Sequence, residues 1–323
     1  MTVDADLLRS LARREDPGLG ITERFLRPTI GAGRSVAVLS EPLGERRDTG
    51  FVIAHSFGLE QTYLARLDVQ LARTLSAAGF PVLRYHGQGY GDSDGAQGID
   101  LSSHLEDATS AVGILAEEAG VDHVGSVGAR FGGTVAALVA DRLRLSLTVL
   151  IEPVVAGGRY VRDFLRSQLF ADWTARVADD PSASSRDVAP STKTMDDVKA
   201  ELANQGWADI RGFRLSASAR DQIAAMDLAQ DLGAFDGSAL VLAVSRSGQV
   251  RPDLQRLATH LRRLGARTTV RCVVDGHADT FGQYNLRMSG GSKQDTLSGV
   301  GRSLTGEVVA WCSAIGDVEA TVG

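Results

Sequence analysis

The apolar positions of the chain fall into two rhythms. Compact apolar runs recur at 51–54, 81–85, 145–152, 239–245 and 268–274, and Val121, Val124 and Val127 mark another. Between them lie stretches with helical spacing, at 62–78, 103–119, from Thr134 onward and at 300–315. Strand-length runs that alternate with helix-length segments predict a mostly parallel sheet with helices on both faces. Upstream, residues 24–30 and 34–40 alternate like two antiparallel strands around Gly31-Ala32-Gly33, which takes the expected sheet to eight strands. Residues 4–15 read as a short, charged, peripheral amphipathic helix.

The rhythm breaks between Pro153 and Asp236. A helical pattern at about 159–176 gives way to a polar run, 179–197, with two prolines and many serines. Helical pieces follow at 196–204 and 218–230. The division this predicts is a core of 1–153 plus 236–323, interrupted by a cap at 154–235 whose 179–195 stretch is a mobile loop.

Composition narrows the picture only at its edges. With 323 residues, 43% hydrophobic and 23% charged, the chain can bury a large core. A net charge of −6 argues against a nucleic-acid partner. No apolar run approaches the roughly 18 residues a membrane span needs. The start, MTVDADLLRS, has no apolar signal segment, so the expected location is cytoplasmic. Cys272 and Cys312 make no disulfide framework and read as reduced and buried, one in a strand and one in a helix. No Cys/His cluster has metal spacing, and no cofactor is expected.

The stretch VDHVGSVGARFGGTVAALVA, residues 121–140, carries the candidate chemistry. It reads as strand, sharp turn and helix. A turn this tight forces its central residue, Arg130, to a positive φ, and side chains two residues to either side would clash; Gly128 and Gly132 leave the room. Holding a non-glycine residue there costs about 1–3 kcal/mol. Three other stretches accompany it: AHSFG after the 51–54 run, GFPVLRYHGQGYGDSDG, and Asp275-Gly276-His277 after the last run.

Together these stretches resemble the α/β-hydrolase superfamily over essentially the whole chain outside the insertion. The fold expected is therefore the α/β-hydrolase fold, eight-stranded, with an inserted helical cap. LIEPVVAGGRYVRDFLRS and RGFRLSASARDQIAAMDLA further resemble the exosortase-system-associated hydrolases, a group that also carries Gly-x-Arg-x-Gly at this turn.

The resemblance implies roles. In the superfamily a serine at the centre of the elbow attacks a carbonyl, a histidine takes its proton, an acid orients the histidine, and two backbone N–H groups bind the oxyanion. His277 falls where the histidine falls. Phe131 and Phe57 fall where the oxyanion donors fall. Glu152, directly after the 145–152 run, is favoured as the acid over Asp253. The serine is replaced by Arg130, which stays protonated and cannot attack. Ser56, Ser126 and Cys272 are weak candidates for a substitute nucleophile.

Arg130 can instead serve as an anion clamp, because its planar fork would stand at the start of a helix. The reading is an atypical enzyme on an anionic acyl-type small molecule, with His277 as proton shuttle, Glu152 as acid, and Arg130, Phe131, Phe57, Ser56 and His86 lining the pocket. That suits a lyase, isomerase or cyclase step, or hydrolysis by His-activated water. The alternatives are an ester, thioester or amide hydrolase with a cryptic nucleophile, and an inactive relative that binds a small molecule or another enzyme. A pairing of Arg130 with Glu152 or Asp92 would plug the site.

The remaining residues read as supporting structure. His55 borders the pocket, and His104, His123 and His260 sit at helix or strand ends. Tyr160, Phe164, Phe170, Trp173, Trp207 and Phe213 form the core of the cap and an apolar roof. Arg159, Arg162 and Arg166 line a solvated helix side that could also dock an acidic carrier protein. A homodimer stays open.

Overall fold

The computed structural model describes residues 12–95, 100–166, 193–210, 212–275 and 293–322. The strands are β1 (Arg13–Asp16), β2 (Ile21–Leu26), β3 (Thr29–Ile30), β4 (Gly33–Arg34), β5 (Ala37–Pro42), β6 (Thr49–Ala54), β7 (Val82–Tyr85), β8 (His123–Ala129), β9 (Leu147–Ile151), β10 (Trp207–Ile210), β11 (Phe213–Ser216), β12 (Ser238–Ser245) and β13 (Arg267–Val274). The helices are α1 (Leu59–Ala77), α2 (Leu101–Ala119), α3 (Phe131–Leu143), α4 over residues 157–166, α5 (Met195–Gln205), α6 (Ala217–Ala225), α7 (Leu228–Asp231), α8 (Pro252–Arg263) and α9 (Lys293–Val322).

Nine strands form one sheet in the order β1-β2-β5-β7-β6-β8-β9-β12-β13. From β7 to β13 the neighbours run parallel, and the N-terminal strands add an antiparallel flank. Strand β6 shows why the centre holds. All six of its residues are buried, and successive side chains feed opposite faces. Phe51 and Ile53 pack with α1 and α9, while Val52 and Ala54 pack with α2 and α3.

The N-terminal flank departs from the sequence reading. Arg13, Arg14 and Glu15, expected in a helix over 4–15, pair together with Asp16 against β2 as an edge strand instead. Residues 1–11 lie outside the described part. Charged side chains suit an exposed sheet edge as well as a helix surface, so charge pattern alone did not separate the two. The expected 24–30 strand is divided between β2 and the small β3–β4 ribbon.

The stretch 154–235 contributes α4, α5, the β10–β11 hairpin, α6 and α7. The hairpin and α8 were not read from the sequence. The expected helix over 218–230 breaks at Met226, which is extended, and Asp227 caps α7. Tyr160, Phe164, Leu165, Val198, Leu202 and Ile223 join the same apolar cluster as α2 and α3. Of the run 179–195, residues up to 192 lie outside the described part; Thr194 caps α5 in a capping box with Asp197. No helix among the described residues is long and apolar enough to cross a membrane.

One carboxylate ties the end of this stretch to α3. Asp141 Oδ1, near the end of α3, accepts the N–H groups of Gly233, Ala234 and Phe235 at 3.0, 2.7 and 2.7 Å, just before β12 begins. Replacing it with alanine strands three backbone donors. An Asp141→Ala variant is expected to lose about 2–3 kcal/mol in urea denaturation, and Asp141→Asn, which keeps one acceptor oxygen, clearly less.

Candidate functional site

The parallel strands all end at one edge of the sheet, so the loops after β6, β7, β8, β9 and β12 gather there. These loops carry His55 to Gly58, His86, Arg130, Glu152 and Ser245 onward. His277 lies outside the described residues, as do Phe170 and Trp173.

The turn between β8 and α3 has the strain the sequence predicts. Arg130 holds φ 54 and ψ −124 and donates its N–H to Ile151 O at 2.8 Å. A Cβ on Gly128 would lie 2.2 Å from Gly132 O, and one on Gly132 would lie 2.3 Å from Ala54 O. No side chain fits at either position.

Arg130 is held by a residue that sequence reading passed over. Its Nε donates to Glu60 Oε1 at 3.1 Å, with the two side chains only 18% and 6% exposed. The other carboxylate oxygen of Glu60 accepts Phe131 N–H at 3.3 Å and the Tyr160 hydroxyl at 3.0 Å. The expected partners of Arg130 were Glu152 or Asp92; the observed one is Glu60. Burial disfavours the Arg130 cation, but Glu60 and, further off, Glu152 outweigh it and hold its pKa above the usual value. The Phe131 N–H, expected as an open oxyanion donor, is therefore engaged.

Glu60 was legible in principle. On α1 it stands in line with Leu64, Leu67, Leu71 and Leu75, the buried stripe of that helix. An acid on an apolar stripe needs buried partners, and Arg130, Phe131 and Tyr160 are those partners.

The candidate substitute nucleophiles are committed elsewhere. Ser56 Oγ donates to Ala129 O at 2.7 Å and accepts Gly132 N–H at 3.2 Å, so it fastens the elbow to the loop after β6. Expected to line the pocket, it is buried as a structural clasp. Ser126 Oγ donates to Ala136 O at 2.9 Å and meets Thr148 Oγ1 at 2.9 Å. Cys272 is half-buried, not fully buried as expected, and burial together with the Glu152 charge pushes its thiol pKa up. None of the three has a general base beside it among the described residues.

Glu152 sits at the end of β9 with φ 46. Its Oε1 accepts Val244 N–H at 2.7 Å, and Oε2 pairs with Arg251 Nη1 at 2.8 Å. Burial raises its pKa, and the Arg251 cation pulls the other way. Arg251 also pairs with Asp253 at 3.2 Å, which draws both candidate acids into one cluster.

His86 is half-buried, and its Nδ1 accepts Asp92 N–H at 3.1 Å. Phe57 is buried, with ring centroids 5.5, 5.8 and 5.1 Å from Phe131, Phe164 and Phe213. Tyr160 stacks on Phe131 at 5.6 Å. Tyr160, Phe164 and Phe213 thus gather around the Phe57 and Phe131 rings beside the elbow, whereas Trp207 carries Arg214 on its ring at 3.8 Å and Phe235 lies by Asp141 near the other end of α3. Arg159 pairs with Asp163 at 3.5 Å on an exposed side of α4. No group of three or more His, Cys, Asp or Glu among the described residues is placed to hold a metal ion.

With this geometry in view, comparisons place the chain. A family model described as serine aminopeptidase, S33, a hydrolase family, matches residues 51–270. No curated protein matches. Among solved structures, a fungal esterase from Rhizomucor miehei aligns at 14% identity and TM-score 0.54, over 98% of this chain and 92% of that one. Est1E from Butyrivibrio proteoclasticus with bound ferulic acid aligns at 14% identity and TM-score 0.51, over 80% and 94%. A hyperthermophilic esterase from Pyrobaculum calidifontis aligns at 17% identity and TM-score 0.50, over 91% and 85%. At these identities the likeness establishes the fold, that of an α/β-hydrolase, and nothing finer.

Proposed function

Because the chain belongs to the serine aminopeptidase S33 family of α/β-hydrolases, we propose that it acts on a small molecule at the sheet edge without an elbow nucleophile. The ligand in this reading is an anionic acyl compound. The observation that carries it is Arg130: strained, cationic, and with its side chain bound, among the described residues, through Nε. Its Nη1 and Nη2 have no hydrogen-bond partner among the described residues, which leaves one edge of the fork for a carboxylate or phosphate.

In the same reading His277 moves the proton and Glu152 orients it. Phe57 N–H offers a backbone donor, His86 lines the pocket, and 154–235 forms the cap. The reaction is a proton-transfer step or attack by His-activated water. A second reading, an inactive relative that only binds, is favoured by one observation: Glu60 already engages Phe131 N–H.

Two measurements test these readings. Intact mass after a serine-directed fluorophosphonate is expected to show no adduct; a His277-dependent adduct mapped to a serine would replace the proposal with ordinary serine hydrolysis. A thermal-shift screen of anionic acyl compounds is expected to yield ligands that stabilise wild type but not Arg130→Ala. Turnover of such a ligand that disappears in His277→Ala separates the enzyme from the binder.

A further inference from the structure

Three donors converge on the Glu60 carboxylate, and each comes from a different part of the fold. Arg130 Nε belongs to the elbow, Phe131 N–H to the first turn of α3, and the Tyr160 hydroxyl to α4. In hydrolase-fold enzymes the N–H after the elbow residue is the one that receives the reaction oxyanion. Here it faces a carboxylate carried by the protein itself, at the N-terminus of a helix, where the dipole favours negative charge.

We propose that Glu60 is a built-in ligand: its carboxylate fills the anion seat of the elbow, and Arg130 and Tyr160 hold it there. The seat is thus a carboxylate-binding site that admits small external carboxylates only when Glu60 is cut back. This does not depend on whether an external ligand meets the other edge of Arg130.

The seat has the marks of a built site. Glu60 and Tyr160 are buried, and Arg130 nearly so. The tethered carboxylate has a high effective concentration, so an ester oxyanion cannot compete for Phe131 N–H. The substitution at the elbow and the acid on the α1 stripe are one feature: a neutral serine at position 130 would leave Glu60 without its counter-charge.

Truncation reads the seat directly. Glu60→Ala removes the side chain beyond Cβ, the CH₂–COO⁻ unit, which acetate matches in size. The experiment compares sodium acetate with sodium chloride at equal ionic strength, on wild type, Glu60→Ala and Glu60→Ala/Arg130→Ala. Acetate is expected to raise the Tm of Glu60→Ala by about 2–4 °C at roughly ten times its Kd. That shift is expected to exceed any acetate-specific shift of wild type or of the double variant by about the same 2–4 °C, and benzoate, too large for the seat, to show no such excess.

Acetate no better than chloride on Glu60→Ala, or equally effective on wild type, overturns the proposal. If Glu60→Ala does not fold in chloride, its refolding yield in acetate and in chloride decides the question. Recovery in acetate alone supports the seat, and equal failure in both overturns it. A failed search for Arg130-dependent ligands of wild type would sink the functional reading above and leave this result standing.

Discussion

Glu60→Ala is expected to cost the folded state about 3–5 kcal/mol, among the largest losses available to a single side chain here. The reason is asymmetry. The intact pair contributes little net stability, because two charges have given up water for one another. Removing the carboxylate leaves a guanidinium 18% exposed with its partner gone, together with unpaired Phe131 N–H and Tyr160 hydroxyl groups. Arg130→Ala is expected to cost a similar amount by leaving the acid unpaired.

The two losses are expected not to add. In a double-mutant cycle by urea denaturation, Glu60→Ala/Arg130→Ala should recover about 1–3 kcal/mol relative to the sum of the single variants. Glu60→Leu with Arg130→Gly goes further, since it removes both charges and also the backbone strain at φ 54. That variant is expected to fall within about 2 kcal/mol of wild type. Strictly additive single losses would mean that Arg130 and Glu60 are neighbours without being partners.

The sheet and the elbow were legible because their causes are local. Apolar runs of strand length mark β6, β7, β9, β12 and β13, and Gly128, Gly132 and Gly133 are explained by backbone atoms within a few residues of the turn or across one strand. The flank was misread because Arg13-Arg14-Glu15-Asp16 takes its structure from pairing with β2, a partner that local periodicity does not contain. The β10–β11 hairpin was missed for a related reason: Trp207 to Ser216 is short and closed by its own cross-strand pairs.

The site shows a sharper version of the same limit. Reading the elbow as Gly-x-Arg-x-Gly posed the question of what Arg130 pairs with, and spatial guesses from the loops gave Glu152 or Asp92. The actual partner lies on a helix 70 positions away in sequence. The clue was the phase of Glu60 within the leucines of α1. Asp107 gives the same clue on α2, where it shares a buried stripe with His104, Ala108 and Ala111 and accepts two hydrogen bonds from Gln88. A polar residue in phase with an apolar stripe is thus a sequence-level pointer to a buried network.

His104 belongs to that stripe, and with His55 it sets how the protein responds to acid. The two rings lie 5.0 Å apart and are buried. His55 Nδ1 meets Ser56 O at 3.0 Å, and His104 Nδ1 meets Asp100 O at 2.9 Å. A carbonyl only accepts, so both Nδ1 atoms carry the proton and both Nε2 atoms are bare. Neither Nε2 has a hydrogen-bond partner among the described residues. Charging either ring would place an N–H⁺ among Tyr85, Tyr90, Phe57 and Phe131.

Burial accordingly pushes the pKa of His55 down to about 3 and that of His104 down to about 4, each from an ordinary value of 6.5. The sign follows from which state binds more protons. Below about pH 6.5 the unfolded chain charges both imidazoles while the folded protein charges neither, so stability falls as the pH is lowered toward 4. Carboxyls whose pKa burial raises, Asp68 up to about 7 and Asp107 and Glu152 in the same direction, work the opposite way, so the histidine contribution is read against a variant that shares them. Asparagine keeps a donor at the Nδ1 position and does not titrate. Between pH 7 and pH 5, wild type is expected to lose about 4 kcal/mol more than His55→Asn/His104→Asn, roughly 2 kcal/mol for each ring. The double variant begins less stable at pH 7 because it has lost two packed rings, and its urea midpoint then changes less with pH. Parallel pH profiles for the two proteins would mean that the imidazoles are solvated or already paired, and that the acid response of the fold lies in its carboxylates.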